Sequence, residues 1–514
     1  MAVSSLLTSL EDFNGSPSIV NYGGGQGAGV NTDVVIEGAQ ALGRRVDNTT
    51  NKGQGASFTA ADLSAAGVHL KVWANVLQWP LVTQVQVRIS SGADDDHDIP
   101  TDLFPALGGY IPIWVDVSRA PEVGGSANEA SISEVGVLID IGDVSGNAQN
   151  LVIDEIQYGT SGLRWDGTGG AFSDFRTFEA TNNEGNLVPA NGVDFVYSRL
   201  EIGSATLTTF TDSGFTLVFP DQAVVATDFM GLTNDLQNAS TVITLSDGTI
   251  QSGNVSGATR RPDLVFSGTA GSASLTNVNA LGMRLITLTS AVTIVGGIFE
   301  ALELTQANAD ISDATIRPNT ASGVAVLDDP DFTNLSNVRW VQVGSGHAIE
   351  ITSPGNYTLD AQFFEGFGGT GGSNLVANSG PNDAAIYNNS GGAVTLSVTG
   401  GGDSPSVRNG ASSTTTVVNN TLVTVDGLQD NTEVRVLDAA DNSIEYDGIE
   451  NATAGSPGDR SFSFSLSAGT VVDIVILNVN YRLPPNDRIE GFTIPSSDTT
   501  IPVSQVLDRN VDTS

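Results

Sequence analysis

The sequence predicts an all-β protein in modules: an N-terminal jelly-roll sandwich, a central right-handed parallel β-helix, a C-terminal immunoglobulin-like β-sandwich and an extended tail. Three observations predict it. Short runs of alternating apolar and polar residues recur along most of the chain, and a period of two marks a strand with one buried face. The composition is rich in turns, with 59 glycines against 6% aromatic and 15% charged residues, while hydrophobic residues at 39% are too many for disorder. Finally, between about residues 243 and 402 one small unit repeats. A chain of 514 residues divides into about three domains, because single cores stop growing near roughly 250–300 residues.

Residues 1–55 read as an N-terminal arm. Gly23-Gly-Gly-Gln-Gly-Ala-Gly superficially suggests a phosphate loop, but no GK[ST] follows it and no helix opens after it, so nucleotide-loop readings fail. Glycines beside Leu6, Leu7 and Leu10 fit an extended segment packed on its own or a neighbouring subunit.

Residues 56–170 read as a jelly-roll β-sandwich. Runs at 68–76, 82–89, 110–117, 135–141 and 151–156 alternate as antiparallel strands with one buried face do. Thr59-Ala-Ala-Asp62 reads as the cap of one short helix.

Residues 171–412 read as the parallel β-helix. Runs at 243–250, 273–278, 292–299, 310–316, 331–335 and 357–364 are versions of one unit: a period-two apolar pair, a small or polar break, then another apolar or aromatic residue. A strand that turns after a few residues buries its apolar face by stacking on the previous rung. The units recur roughly every 17–30 residues, near the range of coil-like solenoids. A β-sandwich of many short strands is the alternative. Gly366-Phe-Gly-Gly-Thr-Gly-Gly-Ser reads as a loop and the run from Ala384 as a closing hairpin or final rung.

Residues 413–490 read as the immunoglobulin-like sandwich, from alternation at 422–425, 432–437, 461–466 and 471–479. Residues 491–514 read as an extended tail along a partner surface, because Pro495 and Pro502 interrupt regular pairing.

The charge balance excludes some partners. A net charge of −38 with only 20 Lys and Arg disfavours nucleic acid, whose phosphates demand clustered bases. With no cysteine, disulfides and thiolate chemistry are excluded. No apolar run of about 18 residues is present to span a membrane. The opening Met1-Ala-Val-Ser-Ser-Leu-Leu has no basic n-region, the first basic residue being Arg44, so synthesis in a cytoplasm without signal-led export is expected.

Chemistry-bearing residues are few or unspecific. Asp94, Asp95, Asp96 and Asp98, with His97 among them, form the densest acidic cluster. Their hard oxygens suit Ca²⁺, though the EF-hand spacing is absent; no cofactor is required, and a solvated loop is the alternative. Asp310, Asp313, Asp328, Asp329, Asp331, Glu350 and Asp360 lie on or between rungs, where turn geometry alone explains Asp. His347 is the solenoid's single histidine and its best candidate base; packing beside Trp340 is the alternative. No G-x-S-x-G elbow accompanies the three histidines, which disfavours a Ser-His-Asp enzyme.

Two resemblances add to this. Asn150-Leu-Val-Ile-Asp-Glu-Ile-Gln-Tyr, preceded by a Trp-bearing strand, resembles the last strand of jelly-roll carbohydrate-binding and concanavalin-like modules. The resemblance implies sugar stacking, with Trp165 and Trp79 as candidates and Trp73 and Trp114 read as core. The succession 346–360, 385–396, 432–436 and 492–495 resembles virion structural proteins of tailed bacteriophages. It implies a tail fibre, tailspike or head-surface fibre, assembled as a homotrimer with other virion proteins, released by lysis and touching host-surface glycan, with no catalytic motif carried over. Two readings stay open beside it: a β-helical polysaccharide lyase or glycoside hydrolase with a carbohydrate-binding module, which a groove of paired carboxylates plus Arg would favour, and a bacterial surface adhesin.

Overall fold

The computed structural model describes residues 3–14, 17–22, 29–31, 40–46, 52–65, 68–76, 82–92, 97–101, 110–117, 123–124, 127–141, 149–182, 184–203, 208–220, 230–253, 261–368, 380–400, 402–450, 460–467, 469–484, 486–495 and 498–507. The all-β expectation holds, with strands in every module. The chain forms two compact units, Met1–Ala309 and Asp310–Ser514.

The first unit begins with a sandwich of two antiparallel sheets. One carries Tyr110–Asp116, His69–Val76, Gln149–Gly159, Ala41–Val46 and Gly29–Asn31 in that order, with Thr8–Glu11 also on Gln149–Gly159. The other carries Val123–Gly124, His97–Thr101, Val82–Ser90, Ile132–Ile141, Lys52–Ala61 and Ser18–Tyr22. Alternation sorts the side chains: Val85, Val87 and Ile89 lie beside their ladder partners Ile139, Val137 and Val135 on the inner face of one sheet, in a core that also takes Val72, Ala74, Leu151 and Ile153 of the other. On the outer face the Tyr22 ring lies flat over Gly136, where an added Cβ would come within 2.4 Å of it, so this strand position requires glycine.

Two expectations are corrected here. Residues 1–55 are no arm: their described parts are strands of this sandwich, apart from Val3–Ser5, which pairs antiparallel with Leu163–Trp165. Of the glycines that suggested flexibility, Gly29 opens a paired strand, and Gly23, Gly24, Gly25 and Gly27 lie outside the described residues. Nor do residues 59–62 cap a helix, since Lys52–Ala61 is one strand whose ladder bonds outweigh a local capping pattern.

After the sandwich, the first unit stacks parallel rungs. Thr168–Gly170, Thr209–Ser213, Val242–Ser246, Ser272–Thr276 and Val292–Val295 pair in succession. A second stack runs Leu163–Trp165, Arg199–Ile202, Gly231–Asp235 and Asp263–Ser267. In-register pairing places like on like: Phe210, Ile243, Ala273 and Val292 form one buried column, and Leu245, Leu275 and Ile294 another, while Thr244, Ser246, Ser274 and Thr276 point outward. Such columns are what makes repeated rungs stable only as a stack.

The sequence reading missed a helix at the start of this stack. Phe172–Asn182 is helical. Its first turn is tied by Asp174, which accepts the Ala171 N–H at 2.9 Å, and by Asp212, which accepts the Phe172 N–H at 2.7 Å. It buries Phe172, Phe175 and Phe178, with the Phe172 ring centroid 5.2 and 4.8 Å from those of Phe210 and Phe215 and Phe175 6.4 Å from Phe210. The helix and Val3–Ser5 together cover the end of the stack, which would otherwise expose a strand edge.

The second unit also stacks parallel rungs. Thr315–Pro318, Val338–Val341 and Gln362–Glu365 pair in order; so do Ala325–Asp328, His347–Ile351, Ile386–Asn388 and Val407–Asn409. On the next face Gly355–Asp360 pairs with Ala393–Thr399, which pairs with the first half of Thr414–Leu428. The second half of Thr414–Leu428 pairs antiparallel with Arg460–Ser467, so one strand leaves the rungs and enters the C-terminal sandwich. There it faces a sheet of Ile444–Ile449, Glu433–Asp438, Val471–Leu477 and Arg488–Thr493 across a core of Val423, Val425, Val434, Val436, Phe464, Ile474 and Ile476.

The extended tail is likewise corrected. Arg488–Thr493 is a sheet strand, Thr499–Pro502 pairs parallel with Thr414–Leu428, and Val506–Leu507 pairs with Tyr481–Arg482. The prolines are accommodated at element ends: Pro495 offers its carbonyl to the Thr421 hydroxyl at 2.6 Å, and Pro502 closes its strand.

Candidate functional site

One corner of the second unit's rungs is built from residues in left-handed backbone conformation. Asp313, Asn337, Ala361 and Gly400 have φ of 54°, 51°, 46° and 62°. Asp, Asn and Gly enter this region readily, whereas Ala has no side-chain bond to compensate. The Asn337 amide donates to Asp313 at 2.5 Å, so adjacent rungs are stitched at the corner. Beneath it Gln362 is fully buried. Its Oε1 accepts the Trp340 indole N–H at 3.0 Å, and its Nε2 donates to the carbonyls of Leu335 (3.2 Å) and Asp360 (2.9 Å).

On one side of the corner lies a groove of about 600 Å³ lined by Asp313, Thr315, Asn337, Arg339, Phe363, Phe364, Glu365 and Asp403 among others. Rung register assembles it. Thr315, Arg339 and Phe363 are ladder partners in one outward column, beside the inward column of Ile316 and Trp340. Arg339 pairs with Glu365 on the next rung, 2.9 Å apart, with 61% and 58% of the two side chains exposed. Such an exposed pair adds about 0–1 kcal/mol and leaves both groups available to a ligand. Asp403 accepts the Phe364 N–H at 3.0 Å. Phe363 and Phe364 are half-buried, and Phe364 lies parallel to Trp340 at 6.3 Å. Charged donors and acceptors beside aromatic rings in an open groove suit a polyhydroxylated ligand.

On the other side of the corner is a second groove, about 540 Å³, lined by Asp331, Phe332, Asn356, Tyr357, Thr358, Asp360 and Thr399 among others. The Phe332 and Tyr357 rings meet edge-on at 5.7 Å. Asp360 accepts from the Thr399 hydroxyl at 2.9 Å. Burial, with help from Asp329, raises the Tyr357 phenol above its ordinary pKa, so the ring remains neutral.

The residues singled out in the sequence scatter. Trp165 is 1% exposed and edge-on to Phe210 at 5.5 Å; it is core of the first rung, corrected from a sugar platform because neither ring face is free. Trp73 and Trp114 are buried as expected. Trp79 and the acidic residues Asp94, Asp95 and Asp96 lie outside the described residues, while Asp98 sits in His97–Thr101, opposite Arg88 and Val123. Among the described residues no group of three or more potential metal ligands occurs. His347 is fully buried and stacked on Tyr387 at 5.2 Å; its Nδ1 lies 2.6 Å from the Ala384 carbonyl, to which it donates. Burial lowers its pKa despite that bond, leaving a neutral structural imidazole. Asp329 and Glu350 bond Thr352 and Asn389, and Asp331 caps the turn Phe332–Asn334. Of the candidate acids, Asp313 reaches the first groove and Asp331 and Asp360 the second. Arg339, Phe363, Glu365 and Asp403 were not singled out, and no local pattern marks them: Arg339 is in register with Phe363 while Glu365 is in register with Val341, so their meeting depends on the stacking of rungs.

In the first unit a smaller pocket, about 180 Å³, lies among Trp73, Arg176, Glu179 and Pro189. Glu179 accepts the N–H groups of Gly185 and Asn186, each at 2.9 Å, and burial raises its pKa against those bonds and Lys71. Its bonds are structural.

No protein-family model matches this chain, and no curated protein matches it in sequence. Among solved structures, an exo-β-agarase is similar at 13% identity and a TM-score of 0.22, covering 30% of this chain and 25% of its own. A family 11 carbohydrate-binding module from Clostridium thermocellum, in complex with a β-1,3-1,4-mixed-linked tetrasaccharide, gives 16% and 0.21 over 30% of this chain and 94% of the module. The xylanase 10B CBM22-1–GH10 modules of the same organism, complexed with xylohexaose, give 10% and 0.19 over 30% and 28%. This chain thus spans about a quarter of the agarase. At such TM-scores these likenesses assign it no function. Fold and grooves define a modular all-β protein with stacked parallel rungs and an open polar and aromatic cleft on their face.

Proposed function

We propose that this chain is a glycan-contacting structural protein, and that the groove of Asp313, Arg339, Phe363, Glu365 and Asp403 is where the glycan lies. The observation that carries the reading is the convergence, through rung register, of an exposed Arg–Glu pair, two further carboxylates and two phenylalanines on one open cleft. Carboxylate and guanidinium groups take sugar hydroxyls in pairs, and the rings cover the apolar sugar face. Rungs fixed by backbone ladders hold these groups with little freedom to lose on binding.

Within that reading, the protein is a surface or tail component of a tailed-bacteriophage virion, a homotrimer released by lysis. Support comes from the resemblance of residues 346–360, 385–396, 432–436 and 492–495 to such proteins. The acidic cluster at 94–98 takes Ca²⁺. Light scattering with and without EDTA tests both points: a monomer contradicts the trimer, and an unchanged melting temperature in EDTA contradicts the ion.

The same groove favours a second reading. Hydrolysis of a glycosidic bond uses two carboxylates flanking it, and Asp313, Glu365 and Asp403 share the groove with Arg339. Screening bacterial polysaccharides for retention on the immobilised full chain, with a reducing-sugar assay on the same mixtures, separates the two. Retention without release supports the structural protein; release abolished by Glu365→Gln or Asp403→Asn supports the enzyme; neither retention nor release removes both.

A further inference from the structure

The two grooves of the second unit meet at the left-handed corner, and the corner is lowered where they meet. Ser336, Asp360 and Thr399 line one groove, and the residues that follow them, Asn337, Ala361 and Gly400, form the corner. Asn337 belongs to the lining of the other groove, as do Phe363 and Asp403. Along the corner the side chains shrink from Asp313 and Asn337 to Ala361 and Gly400. Gly400 is required there: a Cβ would approach Asp360 Oδ1 to 2.5 Å, and its φ is one that side chains resist. Ala361 is otherwise unexplained. It holds a left-handed φ of 46° without the side chain that makes Asn337 and Asp313 comfortable in it, at a cost of roughly 1–2 kcal/mol.

We infer that the two grooves are subsites of one path for a neutral glycan strand, which crosses the corner over Ala361 and Gly400. Aromatic surface stands on both sides, Phe363 and Phe364 before the crossing and Phe332 with Tyr357 after it. Charge selects the class of glycan. The two linings contain five carboxylates, Asp313, Asp331, Asp360, Glu365 and Asp403, and a single cation, Arg339, itself paired with Glu365. A uronate or sialate chain would meet like charge along the whole path, whereas hydroxyl groups find acceptors throughout.

The inference rests on the glycan reading, and its test separates the two. The full chain is titrated with neutral galactan, mannan and mixed-linkage glucan fragments, from disaccharides to long oligosaccharides, with alginate as the anionic control. Linked subsites make the second contact intramolecular, so long fragments of a bound glycan bind at least about tenfold tighter than its disaccharide. Ala361→Asn, whose new side chain suits the backbone but raises the corner, removes that gain and leaves disaccharide binding intact; Ala361→Gly retains it. Equal affinity for short and long fragments, undiminished long-chain binding by Ala361→Asn, or preference for alginate overturns the path while leaving the single-groove reading in place. Absence of all glycan binding overturns both.

Discussion

Replacing Gln362 tests whether the corner is held from beneath as described. Gln362→Ala strips partners from three buried groups at once: the Trp340 indole N–H and the carbonyls of Leu335 and Asp360. An unsatisfied buried group costs about 1–3 kcal/mol, and water entering the corner recovers part of it. The net loss is about 3 kcal/mol, a large share of the roughly 5–15 kcal/mol that holds a domain together. Gln362→Glu sharpens the test. Its carboxylate can still accept from Trp340, but it faces two carbonyl oxygens without a proton to give, so the folded protein holds its pKa above the unfolded value. The sign follows from linkage: this variant approaches wild-type stability below about pH 4.3, the unfolded carboxyl value, and loses it as pH rises through the raised folded pKa. Hydrogen exchange followed by mass spectrometry over 335–341 and 359–365 reads the first variant, and melting curves across pH relative to wild type read the second. Unchanged protection in Gln362→Ala, or a pH-independent deficit in Gln362→Glu, would refute the reasoning.

Other expectations follow from the same geometry. Phe363→Ala weakens retention of the bound glycan about tenfold while leaving the melting temperature nearly unchanged, because the ring is half-exposed and about 1.4 kcal/mol of contact is tenfold in affinity. His347 is held below its ordinary pKa of 6.5 by burial, so the unfolded chain takes up protons that the folded chain refuses; stability of the second unit rises with pH up to about 6.5, and His347→Gln flattens that slope in urea melts compared across pH. Leu275→Ala opens a cavity in the buried Leu245, Leu275 and Ile294 column and costs about 2–5 kcal/mol, whereas Thr244→Ala on the outward face stays within about 0.5 kcal/mol, both measured by chemical denaturation of the full chain.

Much of the fold is legible because alternation and register are local signals. The inward columns at 243–245, 273–275 and 292–294 can be read as repeating apolar pairs, and Asp247, Asn277, Asp313 and Asn337 as turn residues, each adopting the left-handed φ such residues tolerate. The misreadings share a cause, which is that tertiary partners decide what composition leaves open. The Gly-rich stretch that ends at Gly29 looks loose, yet Gly29 lies in the edge strand of a sandwich sheet; Pro495 and Pro502 look like breaks but fall where no strand N–H is needed. Helix Phe172–Asn182 carried its signal in Phe172, Phe175 and Phe178 at helical spacing with Asp174 in the first turn, hidden by β patterns on either side. The groove was hardly legible at all. Its residues, near 313, 339, 363 and 403, come from successive rungs, and only the register of unequal turns brings them together.

The most direct measurement of the central claim is a hydrogen-exchange footprint of the full chain with and without the neutral oligosaccharide it retains best. The account predicts added protection over 313–315, 337–341 and 362–365, with a second patch at 356–360 for long fragments only. Protection confined to the N-terminal sandwich, with the rungs of the second unit unchanged, would contradict it.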